Sequence, residues 1–215
     1  HGFIPGRDTT DHIRRIITLL DVANSGGNSL AAIFLDAEKA LDRVAWDYLW
    51  ATLRYYAVGH AFITALQSLY FSPQASVSVM GWDSKRFNIQ RGTRQGCPCS
   101  PILFALYINR YIELLKVSPG IPPAIFQGHS TKVLAYADDV AITTTAPVRA
   151  FQAVEAIATK FGLVSGYKLN LLKTQILRNK FCSERSSRDT PEPVYLGIKL
   201  TAQLDRLVLI NFDPL

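Results

Sequence analysis

The residues with the clearest chemical potential are three carboxylates. Asp36 closes the apolar run Ala31-Ala-Ile-Phe-Leu35, and Asp138-Asp139 separates two apolar, β-rich runs, residues 132–136 and 140–144. Placing carboxylates against apolar runs is costly without compensation. If the runs pair as strands, three negative charges meet, and repulsion raises their pKa values or unfolds the site unless cations intervene. Hard oxygen donors suit Mg²⁺, which keeps waters and takes further ligands from substrate phosphates. Two such ions about 3.5–4 Å apart clamp an in-line phosphoryl transfer. No His or Cys accompanies the acids, which argues against zinc. Cys97 and Cys99 have no second pair, and His12, His60 and His129 are not at metal-ligand spacing. Read alone, an Asp pair at a hairpin tip is better explained as solvated turn punctuation, and strands often end in Asp.

Charge is distributed to match the first reading. The chain has 215 residues, with 23 Lys+Arg against 17 Asp+Glu and a net charge of +6. Lys85, Arg86, Arg91 and Arg94 form one basic stretch; Lys168, Lys173, Arg178, Lys180, Arg185 and Arg188 form another, relieved only by Glu184. Between residues 35 and 47 acids prevail: Asp36, Glu38, Asp42 and Asp47. Basic side chains attract a phosphate backbone while carboxylates hold metals; a solvated basic surface accounts for the same excess. With 48% hydrophobic and 19% charged residues, the chain is excluded from the disordered class. Three cysteines exclude a disulfide scaffold and fit a reducing compartment. Apolar runs such as residues 102–108 are far shorter than the roughly 18 residues of a membrane span, so no membrane partner is expected. No charged-then-apolar leader opens the chain, which begins at His1 and is therefore expected to be a piece of a longer polypeptide.

The elements that must position these residues are legible in part. Ile13, Ile16, Ile17 and Leu20 recur at helical spacing after Thr9 and Thr10, either of which could cap the helix, and Asn24-Ser-Gly-Gly-Asn28 stops it. Residues 30–35 read as a strand. Residues 42–58 and about 61–70 read as helices, with Trp46, Trp50 and Tyr55 as core aromatics. Residues 75–79 and 86–90 read as strands joined by the Met80-Gly81-Trp82-Asp83 turn. Residues 98–116 and the run from Phe151 to Phe161 read as helices. Residues 132–136 and 140–144 form a hairpin, and residues 174–177 and 194–200 are strands. Helices and strands mix without regular βαβ alternation, so the fold class is α+β.

Taken in order, several segments carry a resemblance. Gly2-Phe-Ile-Pro-Gly-Arg7, Phe34-Leu-Asp-Ala-Glu-Lys-Ala-Leu-Asp42, Arg91-Gly-Thr-Arg-Gln-Gly-Cys-Pro98, Tyr136-Ala-Asp-Asp139, Ser165-Gly-Tyr-Lys-Leu-Asn170 with Lys173, and Tyr195-Leu-Gly-Ile198 span nearly the whole chain. Asn211-Phe-Asp-Pro-Leu215 looks like the entry to a thumb. The chain resembles the reverse transcriptase of non-LTR retrotransposons, the long interspersed elements. The resemblance implies a right-hand polymerase palm, an antiparallel sheet backed by helices. Residues 1–29 would be partial fingers, 30–200 the palm with a finger-palm insert, and 201–215 the start of the thumb connection. The remaining fingers strands would precede His1 and the thumb would follow Leu215. It implies RNA-directed DNA synthesis with an RNA template, a DNA primer and deoxynucleoside triphosphates, with two Mg²⁺ ions as cofactors and Mn²⁺ as a substitute. Asp36, Asp138 and Asp139 would be the catalytic metal ligands. Ala37, Glu38, Lys39, Ala40, Leu41, Gln95, Gly96 and Lys173 would face the nucleotide, with the amides near Glu38 and Lys39 beneath the triphosphate and Lys173 near the pyrophosphate. Arg7, Arg91 and Arg94 would face the template, and Tyr195, Leu196 and Gly197 would grip the primer. A nuclear and cytoplasmic ribonucleoprotein and an endonuclease domain elsewhere in the parent polypeptide are also implied.

The chain departs from the family pattern at three places. Leu41 stands where the family carries an aromatic, typically Phe, that packs under the sugar and blocks a 2′-hydroxyl. Cys99 replaces a usual Leu, and Asn109 stands where Glu is common. These departures leave a second reading beside the enzyme: a catalytically silent retrotransposon remnant that retains only nucleic-acid binding through its basic stretches.

Overall fold

The structure, a computed structural model, describes residues 8–126 and 129–212. In chain order the elements are α1 (Thr9–Ser25), β1 (Ala31–Leu35), a 3₁₀ turn (Ala40–Arg43), α2 (Trp46–Tyr55), α3 (His60–Leu69), the short strands β2 (Gln74–Ala75), β3 (Ser78–Val79), β4 (Trp82–Asp83) and β5 (Phe87–Asn88), then α4 (Ser100–Val117), β6 (Ala124–Phe126), β7 (His129–Thr131), β8 (Val133–Tyr136), β9 (Asp139–Thr144), α5 (Pro147–Ser165), β10 (Gln175–Arg178), β11 (Val194–Tyr195), β12 (Ile198–Lys199), a second 3₁₀ turn (Leu204–Arg206) and α6 (Leu207–Phe212).

Four strands form the central sheet in the order β10-β1-β9-β8, every pair antiparallel. All five residues of β1 are buried, which explains why its sequence is a continuous apolar run rather than an alternation. Its two faces serve two cores. Ala31, Ile33 and Leu35, with Val140, Ile142 and Ile176, pack against α2, α4 and α5. Ala32, Phe34, Ala141 and Leu177 pack on the other side against Ile16, Leu20 and Ala23 of α1 and against Tyr195 and Leu200. The first core is rich in rings: Tyr111 meets Tyr167 at 4.6 Å and Phe161 at 5.3 Å between centroids, and Tyr48 meets Phe161 edge-on at 5.4 Å. The result is the expected α+β sandwich, a sheet with helices on both faces.

Several local expectations are corrected. The α1 cap is Asp8, whose Oδ1 accepts the Thr10 N–H at 3.1 Å, rather than Thr9 or Thr10. The helix expected at 42–58 breaks into the 3₁₀ turn and α2. The Gly92 and Thr93 N–H groups donate to the carbonyls of Val44 and Leu41, and the Ala45 N–H donates to Ser165. Backbone groups in 41–45 thus have tertiary partners instead of helical ones. The 194–200 strand is a hairpin that reverses at Leu196 (φ 50°) and Gly197 (φ 81°), the paired positive φ of a tight two-residue turn. Tyr55, expected in the core with Trp50, is 72% exposed while Trp50 is buried. The helix following Gln95 survives its departures: Asn109 Nδ2 donates to Tyr56 Oη at 2.7 Å and to Glu113 Oε1 at 2.9 Å. β6, β7 and α6 carry no signal that the sequence reading used.

Where α5 ends, Gly166 takes φ 81°, and a Cβ there would collide with the Arg43 carbonyl. Gly81 has a similar φ of 84° with open space around it. Gly81→Ala is expected to cost roughly 1–2 kcal/mol from backbone strain alone. Gly166→Ala should cost about 3 kcal/mol or more, because overpacking against backbone is added. Urea unfolding of both variants checks this; equal losses would show that the 166 turn is not pressed against residue 43.

Candidate active site

The three acids gather at one end of the central sheet. Asp36 follows β1 directly and Asp139 opens β9. Leu35 pairs with Val140 and Phe34 with Ala141, so continuing the register sets Asp36 opposite Asp139. Alternation then puts both on the face of Phe34 and Ala141. Asp138 occupies the two-residue turn between β8 and β9, after Ala137 at φ 53°. Among the described residues no ion pair or side-chain hydrogen bond engages any of the three carboxylates. Burial, followed by the charges of Asp138 and Asp36, holds the Asp139 carboxyl above the usual range. The charges of Asp36 and Asp138 also reach Tyr167, whose phenol is pushed far up chiefly by burial.

The acids are neighbours without forming a cage. Among the described residues, no three His, Cys, Asp or Glu side chains stand close enough together to hold a metal ion.

The segment after Asp36 is stitched to residues 166–170. The Asn170 N–H donates to the Asp36 carbonyl and the Glu38 N–H to the Lys168 carbonyl, each at 2.8 Å, with Ala37 bridged to Leu169. Glu38 is held by Lys168 at 2.8 Å and Arg43 at 3.5 Å. The Lys168 hydrogen bond, then the surrounding cations, keep its carboxyl below the usual range. Arg43 Nε also donates to the Gly166 carbonyl at 3.1 Å. Lys39 sits at φ 48° and is exposed, whereas Ala40 is buried. Lys173 is exposed, and its N–H donates to Asn170 Oδ1 at 3.2 Å. Lys168, Asn170 and Arg43 are therefore supports that the sequence reading did not assign. Lys168 and Asn170 do lie inside the quoted 165–170 segment, which was the available signal.

Residues 91–96 pack on the same region. Besides the bonds from Gly92 and Thr93, Trp46 Nε1 donates to the Gly92 carbonyl at 2.8 Å. Gly92 has φ 94°, and a Cβ would meet the Asp42 backbone at 2.9 Å. Leu41, 37% exposed, lines a cavity of about 370 Å³ with Gln95 and Gly96. Arg91 and Arg94 are exposed; Arg91 lines a cleft with Arg43 and Trp46, and Arg94 Nη1 reaches the Leu69 carbonyl at 3.3 Å. Tyr195 is not on the surface: it is 3% exposed and packs on Phe34 at 5.1 Å, leaving Leu196 and Gly197 at the turn. Arg7 lies outside the described residues. A larger cavity, about 630 Å³, is lined by Arg178, Asn179 and Lys180. Arg178 pairs with Ala31, at the end of β1 remote from Asp36, so size does not locate the acidic site.

The family model described as reverse transcriptase (RNA-dependent DNA polymerase) matches residues 1–200. The chain belongs to the reverse transcriptase family. Its curated relatives place it with the non-LTR retrotransposon type. It is 37% identical over 139 residues to the transposon TX1 uncharacterized 149 kDa protein of Xenopus laevis, a stretch covering 64% of this chain and 10% of that protein. It is 31% identical over 141 residues to the retrovirus-related Pol polyprotein from type-2 retrotransposable element R2DM of Drosophila melanogaster, covering 66% of this chain and 13% of that one. The match thus spans about a tenth of these relatives' length. Among solved structures, apo telomerase from Candida tropicalis superposes with a TM-score of 0.64 at 14% identity, over 91% of this chain and 35% of that one. Telomerase from Candida albicans, in complex with a TWJ fragment of telomeric RNA, gives 0.62 at 13% identity, over 91% and 33%. At that identity the likeness establishes the fold alone, a reverse transcriptase palm.

The raised Asp139 carboxyl has a consequence for stability. A folded-state pKa above the unfolded value means that the fold prefers the protonated acid. Stability from this group is present at low pH and lost as pH rises through the folded pKa. Asp139→Asn should therefore stabilise the reverse transcriptase chain at neutral pH, with the advantage shrinking as pH falls through the raised carboxyl pKa and gone below about pH 4, the unperturbed Asp value. Denaturant midpoints of both proteins against pH check this; a constant difference would show that Asp139 feels neither burial nor its neighbours.

Proposed function

We propose that the chain is the palm of an RNA-directed DNA polymerase, transferring a deoxynucleotide to a primer 3′-hydroxyl on an RNA template. The observation that carries this is the set of unpaired carboxylates at one end of the central sheet, in a chain that belongs to the reverse transcriptase family. Asp36, Asp138 and Asp139 would hold two Mg²⁺ ions, with Mn²⁺ as a substitute. The all-oxygen donor set fits a hard cation, and the raised Asp139 carboxyl fits negative charge awaiting compensation. When bound, the ions supply a lowered pKa at the primer hydroxyl and charge for the departing pyrophosphate.

The chain's own residues do the rest. The Glu38 amide is committed to Lys168, so Ala37, Lys39 and Ala40 are left to meet the triphosphate, while Glu38 braces the segment. Leu41, Gln95 and Gly96 line the cavity that takes the base and sugar. Lys173, exposed after the Asn170 turn, donates a proton toward pyrophosphate. Arg91 and Arg94, with Arg7, meet template phosphates, and the Tyr195–Gly197 turn meets the primer through Leu196 and Gly197. A second reading, nucleic-acid binding without catalysis, is favoured by the open arrangement of the three carboxylates. Both readings give salt-sensitive binding, and only the first gives Mg²⁺-dependent extension.

In the full-length polypeptide, Asp138→Asn should lower primer extension by about 10³-fold, since a lost metal ligand removes several kcal/mol of charge stabilisation. Extension that persists near the wild-type rate would defeat the ligand role, and a wild-type protein that binds but never extends would establish the remnant.

Leu41→Phe adds a planar ring on the wall of the same cavity. It should sharpen discrimination against ribonucleotides about 10–200-fold, the roughly 1–3 kcal/mol that small steric differences confer. Single-nucleotide incorporation with dNTP and rNTP measures it; equal ratios in both proteins would remove Leu41 from sugar selection.

A further inference from the structure

Tyr195 poses a question that its place in a turn motif does not answer. Its side chain is 3% exposed, and its Oη finds no hydrogen-bond partner among the described residues. A buried hydroxyl left unpaired is destabilising, and phenylalanine would fill the same space without that cost. The ring packs on Phe34 with centroids 5.1 Å apart at 40°. Phe34 pairs with Ala141. Two residues further along each strand, on the same face and about 7 Å away, stand Asp36 and Asp139. The phenol that covers Phe34 thus lies on the face of the sheet from which both acids project. Of the two, Asp139 is the acid whose charge is felt at the phenol, and a phenol O–H donates to a carboxylate.

We propose that Tyr195 is a positioning residue. Its O–H donates to the Asp139 carboxylate when that carboxylate turns to ligate a divalent cation, and so decides which carboxylate oxygen faces the ion. The inference rests on the polymerase reading of the three acids and goes beyond it, since it moves Tyr195 from the primer to the metal ligand. Partners of this kind orient ligating carboxylates and typically affect metal affinity by about 10–100-fold.

The test compares wild type with Tyr195→Phe in the full-length polypeptide, each also in an Asp139→Asn background that blanks any metal bound elsewhere. Unfolding in EDTA and Mg²⁺ titration by calorimetry are the readouts. Tyr195→Phe should be at least as stable as wild type without metal, because an unpaired hydroxyl is gone, yet bind Mg²⁺ about 10-fold more weakly. In the Asp139→Asn background the Tyr195→Phe change should add no further loss. The Mg²⁺ concentration for half-maximal extension should rise with kcat at saturating Mg²⁺ little changed. Equal Mg²⁺ affinity, the same loss in both backgrounds, or lower metal-free stability would each overturn the assignment. If wild type shows no Mg²⁺ uptake that Asp139→Asn removes, the metal reading of the acids falls with it; uptake unchanged by Tyr195→Phe overturns the Tyr195 role alone.

Discussion

The antiparallel pairing of β1 with β9 is the constraint on which the rest depends. It joins residues more than a hundred positions apart in sequence and sets Phe34 beside Ala141 and Leu35 beside Val140. Because side chains alternate along a strand, this register decides that Asp36 and Asp139 leave the sheet at one end and on one face. A slip by one residue would send one of them to the opposite face and move Ile33 or Ile142, whichever strand slipped, out of the ring-rich core. Burial of β1 on both faces is what makes such a slip expensive: neither side of the strand can be turned to solvent.

A second tier of contacts shapes the backbone beyond the acids. Residues 36–45 leave the sheet and would be a loose connection on their own. They are tied at Asp36, Glu38 and Ala45 to carbonyls or amides of residues 165–170, and at Leu41 and Val44 to residues 92–93. Tyr107 Oη donates to the Ser165 carbonyl at 3.1 Å, which anchors this network to α4. The ion pairs of Glu38 are partly exposed and contribute little by themselves. Their part is to orient, while the backbone bonds carry the restraint. Leu41 consequently faces Gln95 and Gly96 across one cavity, although more than fifty residues separate them in the chain.

Much of the architecture was legible because period and punctuation are local. Of Ile13, Ile16, Ile17 and Leu20, set at i, i+3, i+4 spacing, Ile16 and Leu20 are buried and Ile13 and Ile17 flank the buried face of α1, and the hairpin around Asp138 and Asp139 stands where two β-rich runs flank a polar pair. What failed was local structure decided by distant partners. Residues 42–45 look helical until amides and carbonyls from 92–93 and 165 claim their backbone groups. Residues 194–200 look like one strand because Leu196, an unusual residue at positive φ, hides the turn. Tyr55 has the same apolar character as Trp50, and only the packing of α2 shows which of them meets the core.

Residue order alone therefore determined the family and the α+β class and singled out the three acids, since ordered motifs and apolar periods are properties of the chain as written. The tertiary structure decided what those residues are to one another. It set Asp36 against Asp139, left the three carboxylates without a partner or a cage among the described residues, committed the Glu38 amide to Lys168, and buried Tyr195 where a surface grip was expected. The physical reason is that charge repulsion, burial and hydrogen-bond choice depend on distances through space, and these exist only once β1 has found β9.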